Sequence, residues 1–361
     1  MLNIERSKII FDASPLRYLH TGLGQFSFSL LNEFEKLARN DFEIFALVHS
    51  NYQSLVPPGI QIEKATFLRR HGPELMQQLL YNRCNLWHIT TENTRLTGIP
   101  RSAQVILTIH GLHFLDEKND ETAARHLVKV QRLLDKANAI TAVSHFTANL
   151  VKEKLDVKDK EVEVIYNGIS FADEAPTLPS WAPDGKFIFS IGTFFQRKNL
   201  SVLLPMMNYL TDFKLVLAGD DLHPQGDFIR AEIVRLGLQA SVIITGEITE
   251  REKIWLYRQG EALVFPSISE GFGIPLIESF YYGKPVFCGR YGSLPEVGAE
   301  HAFFWENFDP MQMSAMVQKE LDEDRQEKKL ARMEYARGFS WNNTAKQFLN
   351  LYGRMLKTIQ P

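Results

Sequence analysis

The chain has 361 residues, long for one hydrophobic core and enough for two of about 150 to 180 residues each. Hydrophobic residues make up 45% and charged residues 23%, with a formal net charge of -3, so there is no global electrostatic pull toward nucleic acid and no such partner is expected. No run approaches the roughly 18 apolar residues of a membrane-spanning helix. The opening MLNIERSKIIFD mixes charges among its apolar residues and reads as a first strand, not a signal peptide. Cys84 and Cys288 fall in different halves without metal-ligand spacing; a reducing compartment, and hence a cytoplasmic enzyme, is the expectation.

In chain order, the strand KIIFD leads into LHTGLGQFSFSLLNEF, where Gly22 and Gly24 precede an apolar-periodic run with Thr21 as its cap. A strand, loop and helix of this kind can cradle a phosphate, yet the third glycine of a dinucleotide fingerprint is missing, and turn geometry explains the pair equally well. His20 and His145 read as structural. FEIFALV, LWHIT, QVILTIH and AITAVS continue the strands, with helical stretches between them, and this alternation predicts an α/β unit with a parallel sheet. His110 ends QVILTIH and precedes Gly111. Its imidazole then stands at the carboxyl edge of the sheet, able to hydrogen-bond a sugar hydroxyl or a phosphate; a satisfied structural histidine is the alternative, as it is for His88 in LWHITTEN. The helix ARHLVKVQRLLDKANA sets Arg125, Lys129, Arg132 and Lys136 along one stripe opposite Leu127, Val130, Leu134 and Ala137. A solvated face is the first reading of the stripe, and peripheral contact with anionic lipid or a phosphate-bearing acceptor the second.

The aperiodic, proline-bearing stretch NGISFADEAPTLPSWAPDG separates this half from another of the same kind, with strands FIFSIG, FKLVLAG, SVIITG, ALVFPS and PVFCG. Two doubly wound, Rossmann-like units follow, facing across a cleft, since ligands of open α/β sheets bind beyond the carboxyl ends of the strands. In IGTFFQRKNL a strand ends at Gly192, and Arg197, Lys198 and Asn199 enter a predicted helix. A planar fork beside a mobile point charge suits a diphosphate, with surface charge as the alternative. In SEGFGIPLIESF, Gly271 and Gly273 permit close backbone approach and Pro275 suits a helix start. Glu270 before that helix and Glu278 inside it can accept hydroxyl hydrogen bonds at a helix N-terminus that favours phosphate; a capping Glu270 and a solvated Glu278 are the bland reading. The last segment, SWNNTAKQFLNLYGRML, sets Ala345, Phe348, Leu349, Tyr352 and Leu356 at helical spacing. Such an amphipathic helix must cover an apolar surface.

These residues resemble the retaining glycosyltransferases of GT-B fold called glycosyl transferases group 1, or family 4. Glu270 and Glu278 match the family's Glu-x7-Glu motif, followed by YGKPVFCGRYGSLPEVG, and IGTFFQRKNL, LVLAGD, VIYNGI, AVSHFT and the final helix match further segments. The resemblance implies an acceptor-binding domain over residues 1–168, a linker over 169–185, a nucleotide-sugar domain over 186–340, and a closing helix over 341–361 that crosses back to the first domain. It also implies that Arg197 and Lys198 hold the donor diphosphate, that Glu278 binds the ribose, and that Glu270 faces the donor sugar. Gly192, Gly271, Phe272, Gly273 and Ile274 line the donor, Gly22 and Gly24 approach its phosphates, and His110 lies near the reacting sugar. Transfer is then retaining and independent of metal, with no cofactor besides the nucleoside-diphosphate sugar. Two positions depart from the family pattern: Gly111 stands where an aspartate is usual, and Cys288, Gly289 and Arg290 stand where a pair of small residues is usual. TGLGQF and TIHGLHFL resemble bacterial polysaccharide mannosyltransferases, so GDP-mannose is the first expectation for the donor, ahead of a UDP-sugar. A growing glycan, lipid-linked and made at the inner face of the membrane, is the matching acceptor. A sugar-nucleotide-binding subunit without catalysis is the rival.

Overall fold

The structure is a computed structural model that describes residues 6–19, 21–37, 41–64, 84–94, 99–170 and 174–357. The chain divides into two compact units, Met1–Ser170 with Ser340–Pro361, and Phe171–Phe339.

In the first unit seven strands are parallel throughout: β1 (Ser7–Asp12), β2 (Phe42–Val48), β3 (Gln61–Lys64), β4 (Leu86–Ile89), β5 (Gln104–Ile109), β6 (Ala139–Ala142) and β7 (Val162–Val164). Their order is β3-β2-β1-β4-β5-β6-β7. The strand order reverses between β1 and β4, the kind of switch point where doubly wound sheets take ligands. Helices cover both faces, so the central strands read as unbroken apolar runs: Ile9, Ile10 and Phe11 of β1 and Leu86, Trp87 and Ile89 of β4 are all buried. The helix Gly22–Lys36 begins at Thr21, whose hydroxyl accepts the Gly24 N–H. The last helix, Trp341–Lys357, belongs to this unit and packs against the 22–36 helix, burying Trp341, Ala345, Phe348, Leu349 and Tyr352.

A buried hydrogen-bond chain ties that helix to the sheet. Tyr352 Oη lies 2.6 Å from His88 Nδ1, His88 Nε2 lies 2.7 Å from Thr108 Oγ1, and that hydroxyl lies 2.7 Å from Thr141 Oγ1. Burial, with His110 nearby, pushes the His88 imidazole down to about 3, so it is neutral and can donate with one nitrogen while accepting with the other. Tyr352→Phe strands one side of this chain and should cost about 1–2 kcal/mol. Thermal unfolding should show a midpoint lower by roughly 2–8 °C; an unchanged midpoint would mean that the bond adds nothing.

The second unit holds six parallel strands, β8 (Phe187–Ile191), β9 (Lys214–Ala218), β10 (Val242–Gly246), β11 (Leu263–Phe265), β12 (Val286–Gly289) and β13 (Phe303–Trp305), in the order β10-β9-β8-β11-β12-β13. Here the switch point lies between β8 and β11. Among the described residues no helix is long and apolar enough to cross a membrane. One local expectation is corrected. Gln196–Lys198 is a single 3-10 turn, not a helix start, and Asn199 takes the left-handed conformation with φ 52°. Asparagine tolerates that conformation better than most residues, and it turns the chain sharply so that Arg197 and Lys198 stay on the loop.

Candidate active site

The loops leaving β8 and β11 are stitched together at the second switch point. The Ile268 N–H donates to the Arg197 carbonyl at 2.8 Å, Lys198 Nζ donates to Glu270 Oε1 at 2.6 Å, and the Ser267 hydroxyl donates to the same Glu270 oxygen at 2.6 Å. The Lys198 ammonium stands 4.7 Å from the centre of the Phe265 ring, and the Arg197 guanidinium 4.9 Å from that of Phe195. Glu270 and Lys198 side chains keep only 10% and 12% of their exposure, so each charge depends on the other for the solvation it has lost. A lysine ammonium has three donors, and holding Glu270 with one is compatible with binding a phosphate oxygen with another. Glu270 is not a cap, because the helix Ile274–Tyr281 starts from Gly273 in the left-handed region with no side-chain cap. The backbone of the glycine loop is held instead by Ser293, whose N–H donates to the Glu270 carbonyl and whose hydroxyl donates to the Phe272 carbonyl at 2.8 Å. Gly271, Phe272 and Gly273 are buried and Ile274 is half-buried.

Glu278 is not solvated either. On the inner side of the 274–281 helix its Oε1 accepts from Lys253 Nζ at 2.8 Å and its Oε2 from the Tyr257 hydroxyl at 2.7 Å. Both partners come from the helix Glu250–Gln259, fixed at its start by a capping box between Thr249 and Glu252. Burial alone would pull the Lys253 ammonium down, but Glu278 and Glu250 beside it hold it above the ordinary lysine value. Each carboxylate oxygen has two lone pairs, so Glu278 can still accept from a pair of neighbouring hydroxyls, as a ribose presents.

In the first unit His110 directly follows β5, and its ring packs edge-on against Phe26 with centroids 4.6 Å apart. Its Nε2 lies 2.9 Å from the Thr90 carbonyl. A carbonyl only accepts, so Nε2 carries the hydrogen and Nδ1 of the neutral ring is the acceptor. Burial first, then His113, push the imidazole down to about 4 against the opposing pull of the Thr90 bond. Gly22 is exposed at the start of the 22–36 helix, and a Cβ at Gly24 would come within 2.1 Å of the Tyr18 carbonyl oxygen. Close packing of this helix start on the preceding turn is therefore reason enough for Gly24. A Cβ at Gly111 would lie 2.7 Å from the His113 ring, and Arg290 pairs with Glu306 at 2.9 Å over the Phe304 ring.

The structure thus brings Arg197, Lys198 and Glu270 together at one switch point, with Gly192 just after β8 beside the Lys198 side chain and the 271–274 loop following Glu270. Glu278 joins a separate cluster one turn into the helix. His88 is structural. Arg125, Lys129, Arg132 and Lys136 lie on the helix Asp120–Lys136 and all four are exposed; Arg125 stands 3.6 Å from Glu121, and Lys129 Nζ reaches to 3.5 Å from the Asn93 carbonyl. His20 lies outside the described residues. Sequence reading missed Ser267, Ser293, Lys253, Tyr257 and Glu92. Only Lys253 and Tyr257 carried a local signal, being four apart and so on one helical face.

Two doubly wound parallel units with these strand orders define an α/β class of paired Rossmann-like domains, and the fold is GT-B. The model for Glycosyltransferase Family 4 matches residues 23–172, and that for Glycosyl transferases group 1 matches residues 176–338. The chain belongs to the glycosyl transferases group 1 (family 4) and is a glycosyltransferase. The O-antigen chain mannosyltransferase B of Escherichia coli is 27% identical over 96% of this chain and 99% of its own. Among solved structures, the sucrose-phosphate synthase of Thermosynechococcus elongatus has a TM-score of 0.77 at 16% identity, covering 98% of this chain and 100% of that one. The Anabaena protein HepE in complex with UDP-glucose has a TM-score of 0.73 at 16% identity, over 96% and 99%.

Proposed function

We propose that this glycosyltransferase moves mannose from GDP-mannose to a growing lipid-linked surface glycan, with retention of anomeric configuration and without a metal ion. The observation that carries the donor reading is the Lys198 ammonium bonded to Glu270 at the β8–β11 switch point, with Arg197 on the same turn. Two cations there can neutralise a leaving diphosphate. Glu270 then takes a hydroxyl of the donor sugar, Glu278 takes the ribose, and the 271–274 loop lines the phosphates. The acceptor hydroxyl attacks the anomeric carbon from the face that the diphosphate leaves. The bond to the diphosphate oxygen breaks, and that oxygen takes the proton, so neither glutamate serves as nucleophile or base. The first unit binds the acceptor and supplies His110. Likeness to the Escherichia coli O-antigen mannosyltransferase along nearly the whole of both chains supports mannose and a surface glycan, and the cationic stripe on the helix Asp120–Lys136 supports peripheral work at the inner membrane face.

The test is calorimetric binding of GDP-mannose, UDP-glucose, UDP-galactose and UDP-N-acetylglucosamine with EDTA present, together with slow release of free nucleoside diphosphate. GDP-mannose should bind and hydrolyse slowly in EDTA. Binding of a UDP-sugar instead would replace the donor, and activity lost to EDTA would end the metal-independent reading. A folded protein that binds none of the four would point to a silent subunit or a different donor. NMR of the product linkage reports retention or inversion directly.

A further inference from the structure

Glu92 lies three residues beyond β4, beside the first unit's switch point, and only 4% of it is exposed. Its Oε2 accepts the His110 N–H at 3.1 Å and its Oε1 accepts from Asn93 Nδ2 at 2.9 Å. The His110 ring returns the contact by donating to the Thr90 carbonyl, two residues before Glu92. Backbone and ring of His110 are thus each tied to the 90–92 segment. A histidine that ends a strand needs only one of these ties to be structural, and the second is made by a buried carboxyl group that desolvation penalises.

We propose that Glu92 is the positioning residue for His110, its carboxylate fixing the end of β5 so that the imidazole offers Nδ1 as acceptor to a sugar hydroxyl. This rests on the reading of His110 as the group beside the transferred sugar. Among the described residues the charged and titratable neighbours are few. Lys129 comes from the 120–136 helix, His110 and then His113 come from the end of β5, and Asp12 at the end of β1 is held by the Ser14 N–H and the Thr94 hydroxyl. Burial pushes the Glu92 carboxyl up to about 7, against the His110 amide and Lys129.

The ionised form accepts from both donors, whereas the protonated form must place a hydrogen of its own beside them and loosens the His110 tie. Turnover should therefore rise with pH through about 7 as Glu92 ionises. Stability runs the other way. A carboxyl raised from 4.5 to about 7 contributes stability that is complete below the lower value and lost as pH rises through the upper one.

The experiment measures kcat and donor KM for the full-length wild type, Glu92→Ala, Glu92→Gln, His110→Ala and the Glu92→Ala/His110→Ala double variant, from about pH 5.5 to 8.5. Glu92→Ala should lower kcat by about 10- to 100-fold with donor KM within about twofold, the size of effect expected from a small misplacement. The double variant should lose no more than His110→Ala alone. Glu92→Gln is the permanently neutral counterpart of the protonated carboxyl and, like it, places hydrogens of its own beside the His110 and Asn93 donors. That variant should therefore hold turnover near the wild type's low-pH level across the whole range, lose the limb near pH 7, and gain thermal stability over wild type at alkaline pH only. Wild-type turnover in Glu92→Ala, or losses that multiply in the double variant, would overturn the proposal while leaving His110 in place. Wild-type turnover in His110→Ala would overturn the reading beneath it as well.

Discussion

Lys198→Ala is expected to lower kcat by about 100- to 1,000-fold, the loss typical when one fixed donor to a developing negative charge is removed. Charge on the departing diphosphate oxygen grows toward the transition state, so the cation binds more strongly there than in the ground state and its loss should fall on kcat more than on donor KM. The variant has a second effect that must be separated from the first. Lys198 and Glu270 are bonded at 2.6 Å with little exposure, and removing one leaves the other uncompensated and the loop destabilised. The double variant Lys198→Ala/Glu270→Gln removes both charges. It should melt higher than Lys198→Ala while turnover stays low, because charge balance returns but the cation does not. Recovery of turnover in the double variant would show that Lys198 serves the fold and not the reaction. Glu270→Gln alone should lower turnover and keep nucleotide binding, since a glutamine there still meets Ser267 and a sugar hydroxyl.

The sequence carries the sheets wherever strands are buried on both faces. KIIFD, QVILTIH, FIFSIG and FKLVLAG form β1, β5, β8 and β9, since an apolar run closed by a turn residue has few other ways to hide. The strands β3, β7 and β13 were not legible: QIEK, VEV and FFW are three or four residues long and sit at sheet edges, too short to show an alternation or a closed run even where, as in FFW, the residues are apolar and Trp305 is buried. The same division holds for the site. Arg197, Lys198, Glu270, Gly271 and Gly273 announce themselves because charge and glycine cluster at predicted strand ends. Their partners do not. Ser267, Ser293, Lys253 and Tyr257 gather around Glu270, its loop and Glu278 through the folded chain, and Glu92 meets His110 across a strand pair. Such contacts are properties of the strand order and not of any local pattern. They also decide what a carboxylate can do, since a solvated Glu278 and one clasped by an ammonium and a phenol are different ligands.

That clasp makes Lys253→Met the most informative change on the ribose side. Lys253 and Glu278 side chains keep 24% and 16% of their exposure, so breaking the pair should cost somewhat less than a fully buried one, about 2–3 kcal/mol, seen as a melting midpoint lower by roughly 4–12 °C. Glu278 and Glu250 raise the Lys253 ammonium above 10.5 despite burial. A raised lysine contributes stability that is complete below its unfolded value and lost only above it, so the deficit of the variant should be flat from about pH 6 to 9. The functional effect is separable from this. Without Lys253 the Glu278 carboxylate keeps the Tyr257 hydroxyl but loses its ammonium, and a ribose bound through it should lose about tenfold in donor affinity, or about 1.4 kcal/mol. Tyr257→Phe should act in the same direction with a smaller effect. The decisive comparison uses a donor whose ribose lacks its hydroxyls. If Lys253 acts through Glu278 on the ribose, wild type and Lys253→Met should bind that analogue equally. A tenfold gap that persists with the analogue would place the effect in the fold of the 250–259 helix, and Glu278 would then be a structural carboxylate.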